Sequence, residues 1–172
     1  MRQAFVRRNI LVASIVTMSL MGSGLAFADT LRNKTITYRS SGMTGGTFSV
    51  FIGPTGNIYE SNLSGASSTQ GIKYTIGKMT EETSTLTDVL GSKLTCTING
   101  TATLAGNVLH LKSTYHCSNG NFDHDVTIQI NGNSCSVVRK EANQGLPFLN
   151  TDTSNTCEVT SGNQLGPAKW LQ

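Results

Sequence analysis

The stretch "TCTINGTATLAGNVLHLKSTYHCSNGNFDHDVTIQI", Thr95 to Ile130, alternates apolar and polar side chains and is punctuated by Gly-Asn and Asn-Gly pairs. A period of two marks a strand with one covered face, and such pairs suit two-residue hairpin loops. With Gly106-Asn107 as a loop, Leu104 faces Leu109, Ala102 faces Leu111, Gly100 faces Ser113 and Ile98 faces Tyr115. The next pair on that face is Cys96 with Cys117. Residues directly opposite in an antiparallel pair have Cα atoms about 4.5–5.5 Å apart, within disulfide reach. A competing hairpin with Asn99-Gly100 at its tip would set Cys96 against Thr103 and lose the match.

Asn119-Gly120 serves as the next loop. Cys117 then faces Phe122, Tyr115 faces His124, Ser113 faces Val126, Leu111 faces Ile128 and Leu109 faces Ile130. The other face holds His116 against Asp123, Thr114 against Asp125, Lys112 against Thr127 and His110 against Gln129. A one-residue slip would exchange the two faces, so parity is strongly specified. Asn131-Gly132 as a third loop puts Ile128 opposite Cys135 and Val126 opposite Val137. Cys135 then lies roughly 20 Å from Cys117 at ~3.3 Å per residue, which leaves Cys157 as its partner. Two bridges, Cys96–Cys117 and Cys135–Cys157, are expected, each worth on the order of 3 kcal/mol by loop closure. Zinc would favour paired C-x-x-C spacing, whereas the gaps here are 20, 17 and 21 residues.

Outward from this stretch, further short alternating runs read as strands: Lys34–Arg39, Thr47–Ile52, Asn57–Ser61, Gly71–Ile76, Ser134–Lys140 and Asn155–Thr160. Leu86, Val89 and Leu90 before Gly91 are spaced for one short helix within Thr80–Gly91. Ala142–Asp152 reads as a loop and Gly162–Gln172 as a partly ordered tail. No internal repeat emerges. The fold expected is all-β: an antiparallel meander of about eight to nine strands, closed as a small barrel of lipocalin-like shape or pressed into a sandwich.

The N-terminus has an export signature. Arg2, Arg7 and Arg8 precede the largely apolar Ile10–Met21 and the A-x-A site Ala26-Phe27-Ala28. Residues 1–28 are expected to be a cleaved secretory signal peptide and 29–172 a single β domain. Twelve helical residues rise about 18 Å, too short for a ~30 Å hydrocarbon core. No membrane anchor is therefore expected after cleavage, and the mature protein should be periplasmic or secreted. Losing three arginines takes the 13 basic side chains to 10, equal to the 10 acidic ones. A neutral domain lacks the field that drives nucleic-acid binding, so nucleic acid is excluded as a partner.

His116, Asp123 and Asp125 fall on the outward face and read as solvated cross-strand pairs. A metal would need a third or fourth convergent ligand and the sequence shows none, so no metal or cofactor is expected. His124 is different, because it lies on the apolar face. The assumed register sets Tyr115 opposite it on one side and Arg139 on the other, with Glu141 one step away. Tyr115, His124, Arg139 and Glu141 would gather at one end of an apolar interior and could orient a small ligand. The competing reading lets the strands fray there, so that Arg139 and Glu141 point into water. Neither G-x-S-x-G nor H-E-x-x-H occurs, nor a Gly-rich phosphate loop before a helix. The leading expectation is a non-catalytic module binding a small molecule or an envelope or extracellular protein. A structural or inhibitor-like interaction protein without a pocket comes second, and a hydrolase third.

Three sets of residues carry a resemblance: "LRNKTITYRSS" (Leu31–Ser41), "TFSVFIGPTGNIYES" (Thr47–Ser61), and the endings "SCSVVRKEANQG" (Ser134–Gly145) and "NTCEVTSGN" (Asn155–Asn163). Together the chain resembles a set of small exported β-rich proteins common in rhizobia and other alphaproteobacteria, a family without established function. That set often has a tryptophan near the end of its first strand, where this chain has Tyr38 nearby. The resemblance implies a leading strand, a hairpin and two cysteine strands, and it supports joining Cys135 to Cys157. It carries over no functional residue.

Overall fold

The computed structural model describes residues 31–40, 46–62, 71–87, 93–145 and 151–165. Ten strands follow one another: β1 (Lys34–Ser40), β2 (Gly46–Ile52), β3 (Asn57–Asn62), β4 (Gly71–Thr75), β5 (Met79–Thr87), β6 (Lys93–Ala105), β7 (Val108–Cys117), β8 (Gly120–Asn131), β9 (Ser134–Asn143) and β10 (Thr151–Ser161). They form one antiparallel sheet in the order β4-β3-β2-β1-β10-β9-β8-β7-β6-β5. Apart from β1 beside β10, every ladder joins strands consecutive in the chain. The sheet curls into a nearly closed barrel whose seam lies between β4 and β5. There Ile76 makes one parallel bridge to Ala102, and the Gly77 amide donates to the Ala102 carbonyl at 2.9 Å.

The expected helix is replaced by strand. β5 ladders along β6 from Met79–Thr101 to Thr87–Lys93, so Leu86 is in a strand; Val89 and Leu90 lie outside the described residues. The physical reason is composition: "MTEETSTLT" is rich in β-branched threonine, which fits a pleated surface better than a short isolated helix. The loop expected over Ala142–Asp152 is shorter too, because β9 runs to Asn143 and β10 starts at Thr151. The signal-peptide reading of 1–28 and most of the 162–172 tail also fall on residues outside those described.

The hairpin at Gly106-Asn107 forms with the expected partners, including Cys96 opposite Cys117. The next two turns sit one residue away from their expected positions, and this shifts each ladder by two. Ser118-Asn119 is the loop, so Cys117 faces Gly120 and Tyr115 faces Phe122. Gly132-Asn133 is the next, so Ile130 faces Cys135 and Ile128 faces Val137. Gly106 (φ 59°) and Gly132 (φ 64°) lead their loops while the asparagines keep negative φ. That is the demand of a type II′ turn, with glycine first, rather than type I′ with Asn-Gly. A shift of two leaves parity intact, so every side chain stays on its expected face.

The inner face is aliphatic over most of the barrel, with Ile36, Val50, Ile58, Ile98, Leu109, Leu111, Val126, Ile128 and Val137 all fully buried. Both disulfides join adjacent strands on this face: Cys96–Cys117 where β6 begins, and Cys135–Cys157 where β9 begins. Because β6 and β9 start at opposite ends of an antiparallel barrel, the bridges tie opposite rims. Gly100 is inside for a steric reason. A Cβ there would lie 2.6 Å from Cε1 of Tyr74, which crosses the interior from β4. Outside the barrel, Phe51, Tyr59 and Leu165 form a second, small cluster, and Thr35 holds the C-terminal stretch by accepting from the Gln164 amide at 3.0 Å.

Candidate functional site

β1, β3, β5, β7 and β9 end, and their partners begin, at one rim of the barrel. Near that rim the aliphatic interior gives way to polar groups. Tyr115, His124, Arg139 and Glu141 all point inward and are brought together, although not in the expected pairs. His124 faces Ser113 and Glu141 across its two ladders, and Arg139 faces Val126. The Tyr115 and His124 rings have centroids 6.3 Å apart. His124, Arg139 and Glu141 are buried, which overturns the frayed-end alternative, while Tyr115 and Phe122 are half-buried and pack edge to face at 6.2 Å.

Three further residues, none of them expected, complete the cluster. Glu60 of β3 reaches across the barrel to Arg139 of β9, Tyr38 of β1 reaches the same guanidinium past β10, and Tyr74 of β4 meets Glu60. The Tyr74 hydroxyl donates to Glu60 Oε2 at 3.1 Å, and the Tyr38 hydroxyl to Glu60 Oε1 at 3.4 Å. Arg139 donates from Nε and Nη2 to Glu141 Oε1 at 3.0 and 2.7 Å, and from Nη1 to the Tyr38 hydroxyl at 3.1 Å. Nη1 also lies 3.5 Å from Glu60 Oε1. The face of the guanidinium rests on Phe48, 3.7 Å from the ring centroid. Parity could have flagged Glu60, since it shares a face with Ile58, and Tyr38, which shares one with Ile36.

The electrostatics follow from burial. Burial pushes the Glu60 carboxyl above its ordinary 4.5, although Arg139, Tyr74 and Tyr38 pull it back. Burial, and then Arg139, hold the His124 imidazole well below 6.5. Burial also raises the Tyr38 and Tyr74 hydroxyls, with Glu60 adding to it, so both phenols stay protonated donors. Burial draws the Arg139 guanidinium down, but Tyr38, Glu60 and Glu141 outweigh it and raise it overall. The Arg139–Glu141 ion pair therefore lies beside a carboxyl whose burial favours the proton and an imidazole whose burial disfavours one.

Not every group is satisfied. His124 Nδ1 is 3.9 Å from Glu60 Oε2, too long for a direct hydrogen bond. On the far side of the ring, Nε2 has no partner, and the neighbouring Ser113 Oγ lies beside the Tyr74 and Tyr115 hydroxyls without a well-aligned hydrogen bond.

Outside, the expected His116–Asp123 pair does not form, because the two-residue shift puts Asn121 opposite His116. Asp123 instead accepts from Thr114 Oγ1 at 2.8 Å and Gln144 Nε2 at 2.9 Å, and the Gln144 bond foremost lowers its pKa. His110, not singled out in the sequence, meets Asp125 at 2.8 Å. At the seam, Lys73, Thr75, Thr80, Glu81 and Glu82 line an open cleft of 260 Å³. Glu82 Oε2 accepts from the Lys73 amide at 3.3 Å, in place of a ladder bond. Among the described residues no group of three or more His, Cys, Asp and Glu side chains could hold a metal. Compared with protein-family models, curated proteins and solved structures, the chain matches none.

Proposed function

We propose that the protein is an exported, non-catalytic barrel module that binds a small molecule at the polar rim. One observation carries this reading: a histidine only 6% exposed, set behind the half-buried Tyr115 and Phe122 rings, has its Nε2 free of any protein partner. A buried polar atom without a bond costs about 1–3 kcal/mol, so a fold that keeps one has a use for it or fills it from solution. Rings at the entrance with one or two convergent polar atoms behind them are the usual make-up of a small-molecule site. Export to the periplasm or beyond fits the N-terminal signature, and two disulfides suit an oxidising compartment. Kinship with the exported alphaproteobacterial set belongs to the same reading and rests on the motifs quoted above.

Native mass spectrometry of the mature protein from its own host is the test. A bound small molecule, lost or weakened in His124→Ala, is the expected outcome. A protein that arrives empty at every preparation favours the second reading, a structural or inhibitor-like interaction protein. That reading has its own support, since Arg139, Glu141, Glu60 and Tyr38 largely satisfy one another.

A further inference from the structure

We infer that the ligand at this rim is an uncharged molecule presenting a hydroxyl group from an apolar, preferably aromatic, body. The inference rests on the binding function proposed above and specifies its chemistry.

The charged groups are already taken. Nε and Nη2 of Arg139 serve Glu141, Nη1 serves Tyr38 and Glu60, and the face of the guanidinium is stacked on Phe48. A carboxylate or phosphate would have to break that set, leaving buried Glu141 exposed to its own desolvation cost. The Glu60 oxygens are likewise occupied by Tyr38, Tyr74 and Arg139, so an ammonium finds no free carboxylate oxygen there. What remains is His124 Nε2, which has no protein partner, and opposite it in the β7–β8 ladder Ser113 Oγ, which lies beside the Tyr74 and Tyr115 hydroxyls without a well-aligned bond. A neutral imidazole nitrogen either donates or accepts according to tautomer, and a serine hydroxyl does both. A hydroxyl is the smallest group that can donate to one and accept from the other in either tautomer. The adjoining surface, Tyr115 edge-on to Phe122, suits a ring or hydrocarbon body.

The mature protein is titrated with benzyl alcohol, benzoate and benzylammonium, which share one body and differ in charge. Binding is read from the His124 ring-nitrogen NMR shifts and from thermal stabilisation. Native mass spectrometry of the host-purified protein runs alongside. The expectation is that benzyl alcohol binds at least about tenfold more tightly than either ion, the worth of one satisfied buried hydrogen bond. That binding should fall about tenfold in both His124→Phe and Ser113→Ala, the latter removing only one oxygen should the former fold poorly. Benzoate or benzylammonium binding as well as the alcohol overturns the inference. So does failure of all three while a host molecule copurifies and is lost in Ser113→Ala or His124→Phe, although the binding function then stands. Failure of all three with no copurifying molecule overturns the inference and the proposed function together.

Discussion

The β7–β9 wall pairs a basic side chain with a carboxylate on each face, and the two faces treat the pairs differently. Outside, His110 and Asp125 meet at 2.8 Å with side chains 40% and 37% exposed. Inside, Arg139 and Glu141 meet at 2.7 Å with side chains 5% and 9% exposed. The distances are alike, but water makes the difference. The exposed pair gains little over its hydrated components and loses side-chain entropy in forming. The inner pair has given up hydration altogether, so each partner depends on the other, and on Tyr38, Phe48 and Glu60, to remain buried. A contact distance alone therefore says little about what an ion pair does for the fold.

The comparison can be broken most forcefully at Arg139. Arg139→Ala leaves Glu141 buried without its cation and is expected to cost about 3–5 kcal/mol in urea unfolding. Replacing both members, Arg139→Met with Glu141→Leu, should recover much of that loss; equal damage in single and double variants would contradict the account. Next in size comes the loss of one bridge. Cys96→Ser with Cys117→Ser should cost about 3 kcal/mol under oxidising conditions, and under strong reductant the gap from the wild type should close.

The pH dependence sharpens the contrast further. In the unfolded chain Glu60 titrates near 4.5 and His124 near 6.5, whereas folding raises the first and depresses the second. Glu60 keeps its proton in the fold after the unfolded chain has lost it, so its contribution to stability falls as pH rises above 4.5 until Glu60 ionises. His124 stays neutral in the fold while the unfolded chain is charged, so its contribution falls as pH drops below 6.5 until His124 takes up a proton. The two contributions oppose each other wherever both apply. Glu60→Gln should therefore leave stability falling with decreasing pH below 6.5, and His124→Phe should leave it falling with increasing pH above 4.5. Denaturant midpoints across pH 4–8 decide this. Smallest of all, His110→Ala should change stability by less than about 1 kcal/mol and chiefly at low salt. A larger loss there would erase the distinction between the faces.

Much of the inner face was legible in the sequence because a strand has a period of two. From Leu94 to Glu141 parity alone assigned His124, Arg139 and Glu141 to the interior and Asp123, Asp125 and Lys112 to the outside. Parity cannot distinguish registers that differ by two, however, and the partners across β7–β8 and β8–β9 came out one pair removed. Turn placement decided the matter: Ser118-Asn119 rather than Asn119-Gly120 closes one hairpin, and Gly132 takes the first place in the loop of the other. β5 was missed for a related reason: three apolar residues at helical spacing outweighed a threonine-rich alternation that only the full-length ladder on β6 makes use of.

The sequence by itself determined which side chains face inward along the long hairpins, which cysteines join, and that the fold is an antiparallel β meander. These depend on neighbours in the chain, linked by two-residue turns or a few rows of a ladder. Only the tertiary structure decided that Glu60, Tyr38 and Tyr74 complete the polar cluster, for Glu60 of β3 and Arg139 of β9 are 79 residues apart and meet across the barrel rather than along a ladder. Closure of the sheet brings such walls face to face, and that geometry depends on the summed twist and stagger of every strand at once.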